Sequence, residues 1–106
     1  MAEERGIWVV AGSFRARTGA EGDLAAVLAN YVVLTRTRPR CRNVDLVAST
    51  TESGRFLVIE KWDDPDAPRA HLDDPETVAM AEAAVPLLRA KPELDLYDSV
   101  SAHDLQ

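Results

Sequence analysis

An α+β domain with the order β-α-β-β-α-β is predicted by three features of this 106-residue chain. Four short runs rich in β-branched and aromatic residues alternate with segments of helical periodicity. The loop between the second and third runs, Thr50 to Gly54, is short enough to make them an antiparallel hairpin. The segment from Arg55 to Leu88 joins an apolar strand, an acidic turn and a long helical pattern. It forms one half of the ferredoxin-like split motif, and the residues before it supply the other. Right-handed crossovers then place both helices on one face of a four-stranded sheet.

Ile7 to Phe14 is the first strand. Thr18-Gly19 marks a turn, and Glu21 and Asp23 bring negative charge to the first turn of a helix, where the dipole favours it. That helix is expected over Glu21 to Arg36. Leu24, Val27, Leu28 and Tyr31 share one face, and Pro39 forbids continuation. Cys41 to Ser49 is the second strand, with Val44, Leu46 and Ala48 on one face and Asn43, Asp45 and Val47 on the other. The third strand, Arg55 to Trp62, places Phe56 and Val58 on one face and Leu57 and Ile59 on the other. A strand apolar on both faces is covered on both faces. With helices on one side only, the second side predicts a homodimer, most simply a two-fold one.

Asp63 to Pro68 is an acidic turn feeding a short helix, about Ala67 to Leu72. Asp73-Asp74-Pro75-Glu76 restarts a longer helix with N-cap chemistry and an early proline. Its expected stripe is Val78, Ala81, Val85 and Leu88, with a kink at Pro86. Glu93 to Val100 is the fourth strand, and the tail from Ser101 to Gln106 is either loose or docked on a neighbour.

Hydrophobic residues make up 46% of the chain, enough for a packed core in one domain over residues 1–106. The net charge of -6 argues against nucleic acid or an anionic membrane as the main partner. Cys41 is the single cysteine, so no internal disulfide forms, which suits a reducing compartment. Met1 to Arg5 is acidic and lacks an apolar signal core, and no apolar run is long enough to span a bilayer. A soluble cytoplasmic protein is the expectation.

Phe56-Leu57-Val58-Ile59-Glu60-Lys61-Trp62, followed by Ala70-His71-Leu72, a proline-containing restart and a helix ending in Pro86-Leu87-Leu88, resembles the antibiotic biosynthesis monooxygenase superfamily. Within it, the small quinol-monooxygenase-like members look closest. The resemblance runs over nearly the whole chain and implies a dimeric α+β barrel with a pocket in each subunit between sheet and helices. It also implies an oxidoreductase: a cofactor-independent monooxygenase that oxidises a small electron-rich aromatic, such as a quinol, anthrone or polyphenol, with O2. The alternatives are a non-catalytic dimeric binder of small molecules, or an isomerase on the same scaffold, since fold alone does not fix the reaction. Two departures stand out. Pro39-Arg40-Cys41 lacks the glycine common before the second strand. The positions that haem-degrading relatives use fall near Gly12, His71 and Met80 or Ala81, and none carries the matching residue.

His71 is the first catalytic candidate, because imidazole exchanges protons near neutral pH. Its plain alternative is a histidine that fixes the helix turn by bonding a backbone carbonyl. Trp62 is a candidate pocket wall for an aromatic substrate, or ordinary core packing. Glu60, an acid within an apolar strand, requires a partner: His71, a backbone group, or an arginine across a dimer. Asn43 could donate to a developing oxyanion, and the Tyr31 hydroxyl could reach a cavity; both are more often plain structure. Cys41 has no histidine near it in sequence and is a poor nucleophile. His71, Asp73, Asp74 and Glu76 superficially resemble metal ligands, but their spacing matches no recognised site and acids before a helix are ordinary capping. Arg36, Arg38, Arg40 and Arg42 form a basic strip expected to be solvated or paired with the Asp63 to Asp66 turn. No glycine-rich phosphate loop or dinucleotide fingerprint is present, so neither a flavin nor a nicotinamide cofactor is expected.

Overall fold

A computed structural model of the protein describes residues 6–101. The expectations for the acidic start, Met1 to Arg5, and for the tail beyond Ser101 lie outside the described residues. The elements are β1 (Trp8–Arg15), α1 (Glu21–Thr35), β2 (Cys41–Ala48), β3 (Arg55–Trp62), α2 (Ala67–His71), α3 (Pro75–Ala84) and β4 (Glu93–Asp98), with a 3-10 turn over Val85–Leu87. The sheet order is β2-β3-β1-β4 and every pairing is antiparallel, as the split motif requires. No helix among the described residues is long and apolar enough to cross a membrane.

Turn chemistry sets the frame. Gly19 has φ +91°, a conformation that side chains resist, and its N–H bonds the Glu21 carboxylate at 2.9 Å just before α1. Gly54 closes the β2–β3 hairpin with φ +80°. Leu24, Leu28, Tyr31 and Val32 of α1 are buried against Phe14, Val44 and Val58 of the sheet and Ala84 of α3. At the end of α1, the Arg36 guanidinium donates to the Val44 carbonyl at 2.8 and 3.1 Å and fastens the helix to β2.

Register decides which side chains face the helices. Val10 stands between Glu60 and Leu96, and Gly12 between Val58 and Leu94. Since cross-strand partners share a face, Val10, Gly12, Val58, Glu60, Leu94 and Leu96 all lie on the helix side. Val9, Ala11, Asn43, Val47, Leu57, Ile59 and Tyr97 lie on the opposite side, which no helix among the described residues covers.

Two expectations for α3 are corrected. It stops at Ala84 instead of kinking at Pro86, because proline has no N–H to return to the carbonyl four residues back. Its buried residues are Thr77 and Ala84, whereas Val78 and Val85 are largely exposed. Ala81, Val85 and Leu88 look into an open cavity beneath α3, which leaves Val85 exposed, and Val78 lies off that lining.

Candidate active site

Between the sheet and α2–α3 lies a cavity of about 420 Å³ with a mostly apolar lining. Its sheet wall is built by Val10, Gly12, Phe14 and Val58, with Leu94 and Leu96 along β4. A Cβ at Gly12 would come within 3.2 Å of the Phe14 ring and 3.4 Å of Leu94, so glycine keeps the floor low. Met80, Ala81, Ala84, Val85 and Leu88 form the helix wall. Leu94 and Leu96 are 49% and 62% exposed, so the cavity opens toward the β4 edge.

Polar groups collect at the inner end: Tyr31 from α1, Glu60 from β3, His71 from α2 and Thr77 from α3. Glu60 is buried, and its partners are not those the sequence suggested. Tyr31 Oη donates to Glu60 Oε2 at 2.5 Å, and Trp62 Nε1 donates to Glu60 Oε1 at 3.0 Å. Neither is a cation: within the chain, two uncharged donors answer the carboxylate. The Glu60–Trp62 contact follows from strand geometry, since residues two apart share a face. Burial, then the charge and hydrogen bond of Glu60, raise the Tyr31 pKa above its ordinary value near 10. The Thr35 and Thr77 hydroxyls act in the opposite direction, and the phenol stays a protonated donor.

His71 is 3% exposed and both ring nitrogens are engaged. Nδ1 lies 2.7 Å from Asp74 Oδ2, while Nε2 lies 3.1 Å from Thr35 Oγ1 and 3.2 Å from Thr77 Oγ1. Side chains therefore replace the backbone carbonyl expected as its structural partner. A carboxylate oxygen accepts, so Nδ1 is the donor to Asp74, and in the neutral ring Nε2 is then the acceptor facing the hydroxyls. The ring packs at centroid distances of 5.6 Å from Tyr31 and 5.0 Å from Trp62.

Asp74 is the N-cap residue of α3, yet its side chain makes no capping bond and turns to His71 instead. Arg38 backs this arrangement with two bonds to Glu76, at 2.6 and 2.7 Å, and lies 3.2 Å from Asp74 Oδ2. The hydrogen bond from Arg38 is the main reason the Glu76 pKa falls to about 2. One donor atom each from His71, Asp74 and Glu76 lies within 4.8 Å of the others, a spacing that would suit a cation. The Arg38 guanidinium already supplies the positive charge there, and Asp73 is exposed and apart from the group. Arg40 approaches Asp63 and Asp64 at 4.0 and 3.9 Å, the pairing with the acidic turn that the basic strip suggested.

The structure thus brings Tyr31, Glu60 and His71 together at one cavity. Trp62 is nearly fully buried behind them and lines a shallower outer recess with Arg38, Asp74 and the far side of His71. It does not wall the apolar cavity. Asn43 does not reach the cavity either: it sits past a bulge in β2, on the uncovered side of the sheet, and bonds Asp45 at 3.2 Å. Thr35, Thr77 and Asp74 were not singled out as site residues. Thr35 was within reach of sequence reasoning, since it continues the Leu24-Leu28-Tyr31 face by one helical turn and a buried hydroxyl there needs a partner.

Comparison with known proteins agrees with this architecture. The antibiotic biosynthesis monooxygenase family model matches residues 7–83. No curated protein matches the chain. Among solved structures, a candidate antibiotic biosynthesis monooxygenase from Nitrosomonas europaea superposes with a TM-score of 0.86 at 11% identity, covering 94% of this chain and 96% of its own. A counterpart from Deinococcus radiodurans gives 0.83 at 21% identity, covering 93% and 98%. A third, from Chloroflexus aurantiacus, gives 0.78 at 22% identity, covering 94% and 99%. At these identities the superpositions bear on fold alone. The family model spans well over half the sequence, and on that ground the chain belongs to the antibiotic biosynthesis monooxygenase family.

Proposed function

We propose that the protein is a cofactor-independent monooxygenase that oxidises a small electron-rich aromatic, of the quinol, anthrone or polyphenol class, with O2. The observation that carries the reading is the composition of the cavity: a mostly apolar chamber of about 420 Å³ whose polar lining is Tyr31, Glu60, His71 and Thr77, with the exposed Arg69 beside them. An aromatic ring fits such walls, and its hydroxyl finds acceptors at the inner end. Once deprotonated, the substrate itself gives an electron to O2. The radical pair combines to a peroxide, and loss of water leaves a new carbonyl. The protein supplies a dry chamber and a route for the proton. His71 is the base, and Tyr31 and Glu60 bind the hydroxyl end of the substrate.

The active species in this reading is a homodimer. The uncovered face of the sheet presents Val9, Ala11, Val47, Leu57, Ile59 and Tyr97, and a second copy across a two-fold axis covers it with the same surface. Asn43 then belongs to the subunit interface.

The test is oxygen uptake by metal-free, flavin-free protein against a panel of reduced quinones and anthrones. Uptake well above autoxidation is expected, and His71→Ala is expected to lower it by about tenfold or more. His71→Gln, which keeps polar atoms among Thr35, Thr77 and Asp74, separates loss of the base from loss of the fold. Full turnover in both variants would remove His71 from the reaction. Anaerobic conversion would point to an isomerase, and a rise in melting temperature without product to a binder.

A further inference from the structure

His71 stands in the wall between two spaces. One edge of the residue lines the apolar cavity, and the other lines the shallower recess on the outer surface with Arg38 and Asp74. Its two nitrogens point to different sides of that wall. Nε2 meets Thr77 Oγ1 at 3.2 Å, and Thr77 lines the cavity. Nδ1 meets Asp74 Oδ2 at 2.7 Å, and Asp74 lines the recess with its side chain 28% exposed. The imidazole cannot touch a molecule in the cavity with either nitrogen without giving up one of these bonds. The Thr77 hydroxyl can both donate to Nε2 and accept from a neighbour at once.

We infer that Thr77, His71 and Asp74 form a proton relay that carries the proton of a cavity-bound hydroxyl through the wall to solvent. The inference rests on the proposed chemistry only in that the ligand carries an acidic hydroxyl. The ligand O–H bond breaks as its proton moves to Thr77 Oγ1. The proton Thr77 held moves to His71 Nε2, the Nδ1 proton moves to Asp74 Oδ2, and water in the outer recess takes it from there. Each step moves one proton and no group is oxidised or reduced. The net change is an anion in the cavity, a proton in solvent and an imidazole whose proton sits on Nε2 instead of Nδ1, which reprotonation of the ring at Nδ1 from the recess resets. Thr77 is the residue that touches the ligand, and His71 and Asp74 act through it. Thr35, 3.1 Å from Nε2 on the α1 side, is not among the residues that line the cavity, and so holds the ring without taking part. The charged and titratable groups facing the relay are Tyr31 and, through it, Glu60 on one side, Arg38 and Glu76 on the other, and Arg69 on the cavity lining.

A fluorescent photoacid tests the relay without oxygen chemistry. 2-Naphthol becomes strongly acidic on excitation. Its neutral and anionic forms emit at different wavelengths, and the anion band appears only where an acceptor takes the proton within the excited-state lifetime. Bound to the full chain under anaerobic conditions, it is expected to show the anion band. Thr77→Val, which keeps the shape and removes the hydroxyl, is expected to cut the anion-to-neutral ratio by about tenfold at similar affinity. Thr77→Ser is expected to restore it, which a packing role would not. A ratio unchanged in Thr77→Val and lost in Glu60→Gln would overturn the relay and make Glu60 the acceptor. Neutral emission alone from the unaltered protein, or no binding of the probe, would also overturn it. Oxygen uptake that persists beside a negative photoacid result leaves the monooxygenase reading standing and discards only the relay. An anion band without oxygen uptake does the reverse.

Discussion

Glu60 is the residue on which the inner end of the cavity depends. A buried carboxylate is costly unless its lone pairs are answered, and here both donors, Tyr31 Oη and Trp62 Nε1, are uncharged side chains. Removing one leaves the acid partly unanswered rather than merely deleting a bond. Tyr31→Phe is therefore expected to cost about 2 kcal/mol of stability, read from urea unfolding midpoints with an unchanged slope. A change within error would mean that water takes over the vacated position. The same logic explains the Glu-x-Trp sequence of β3: in a strand, that spacing is what lets the indole N–H reach the carboxylate.

At the scale of elements, the C-terminal end of α1 is tied to the start of α3 by Arg38 and Glu76. The two bonds are parallel and charge-assisted, and the Glu76 side chain is only 8% exposed. Its folded pKa, about 2, lies below the ordinary 4.5. A depressed carboxylate stabilises the fold fully above its unfolded value and loses that contribution as pH falls toward the folded one. Stability is thus expected to fall between pH 4.5 and pH 2, and Glu76→Gln is expected to show a flatter acid limb in the same window. Chemical denaturation at several pH values checks this, and parallel curves for the two proteins would contradict it. The tie also bears on the site, because Arg38 approaches the same Asp74 oxygen that holds His71.

For the whole molecule, the question is what covers the second face of the sheet. Leu57 and Ile59 lie there on β3, half-buried between the flanking strands and with no helix of the described residues above them. Self-association across that face is expected to give twice the chain mass by light scattering. Leu57→Asp, which sets like charges against each other across a two-fold axis, is expected to give a monomer that keeps the helix-side core. A monomeric unaltered protein at micromolar concentration would remove the dimer from the functional reading.

Periodicity and turn residues by themselves determined the element order, the hairpin and the strand faces. These are local properties of backbone sterics and of apolar spacing, and Gly19, Gly54 and Pro39 sit where the turns need them. The sequence also singled out Glu60 as an acid within an apolar strand, Tyr31 by its place on the core face of the first helix, and His71 by its imidazole chemistry and the family resemblance. Only the tertiary structure decided their partners. Tyr31 meets Glu60, and Thr35 meets His71, across gaps of 29 and 36 residues that no local rule spans. It also decided that Asn43 faces away from the cavity, that Trp62 stands behind it, and which side chains line the chamber that the family resemblance implied between sheet and helices. Each depends on how two elements are set against each other, and that follows from the packing of the whole chain rather than from any one stretch of it.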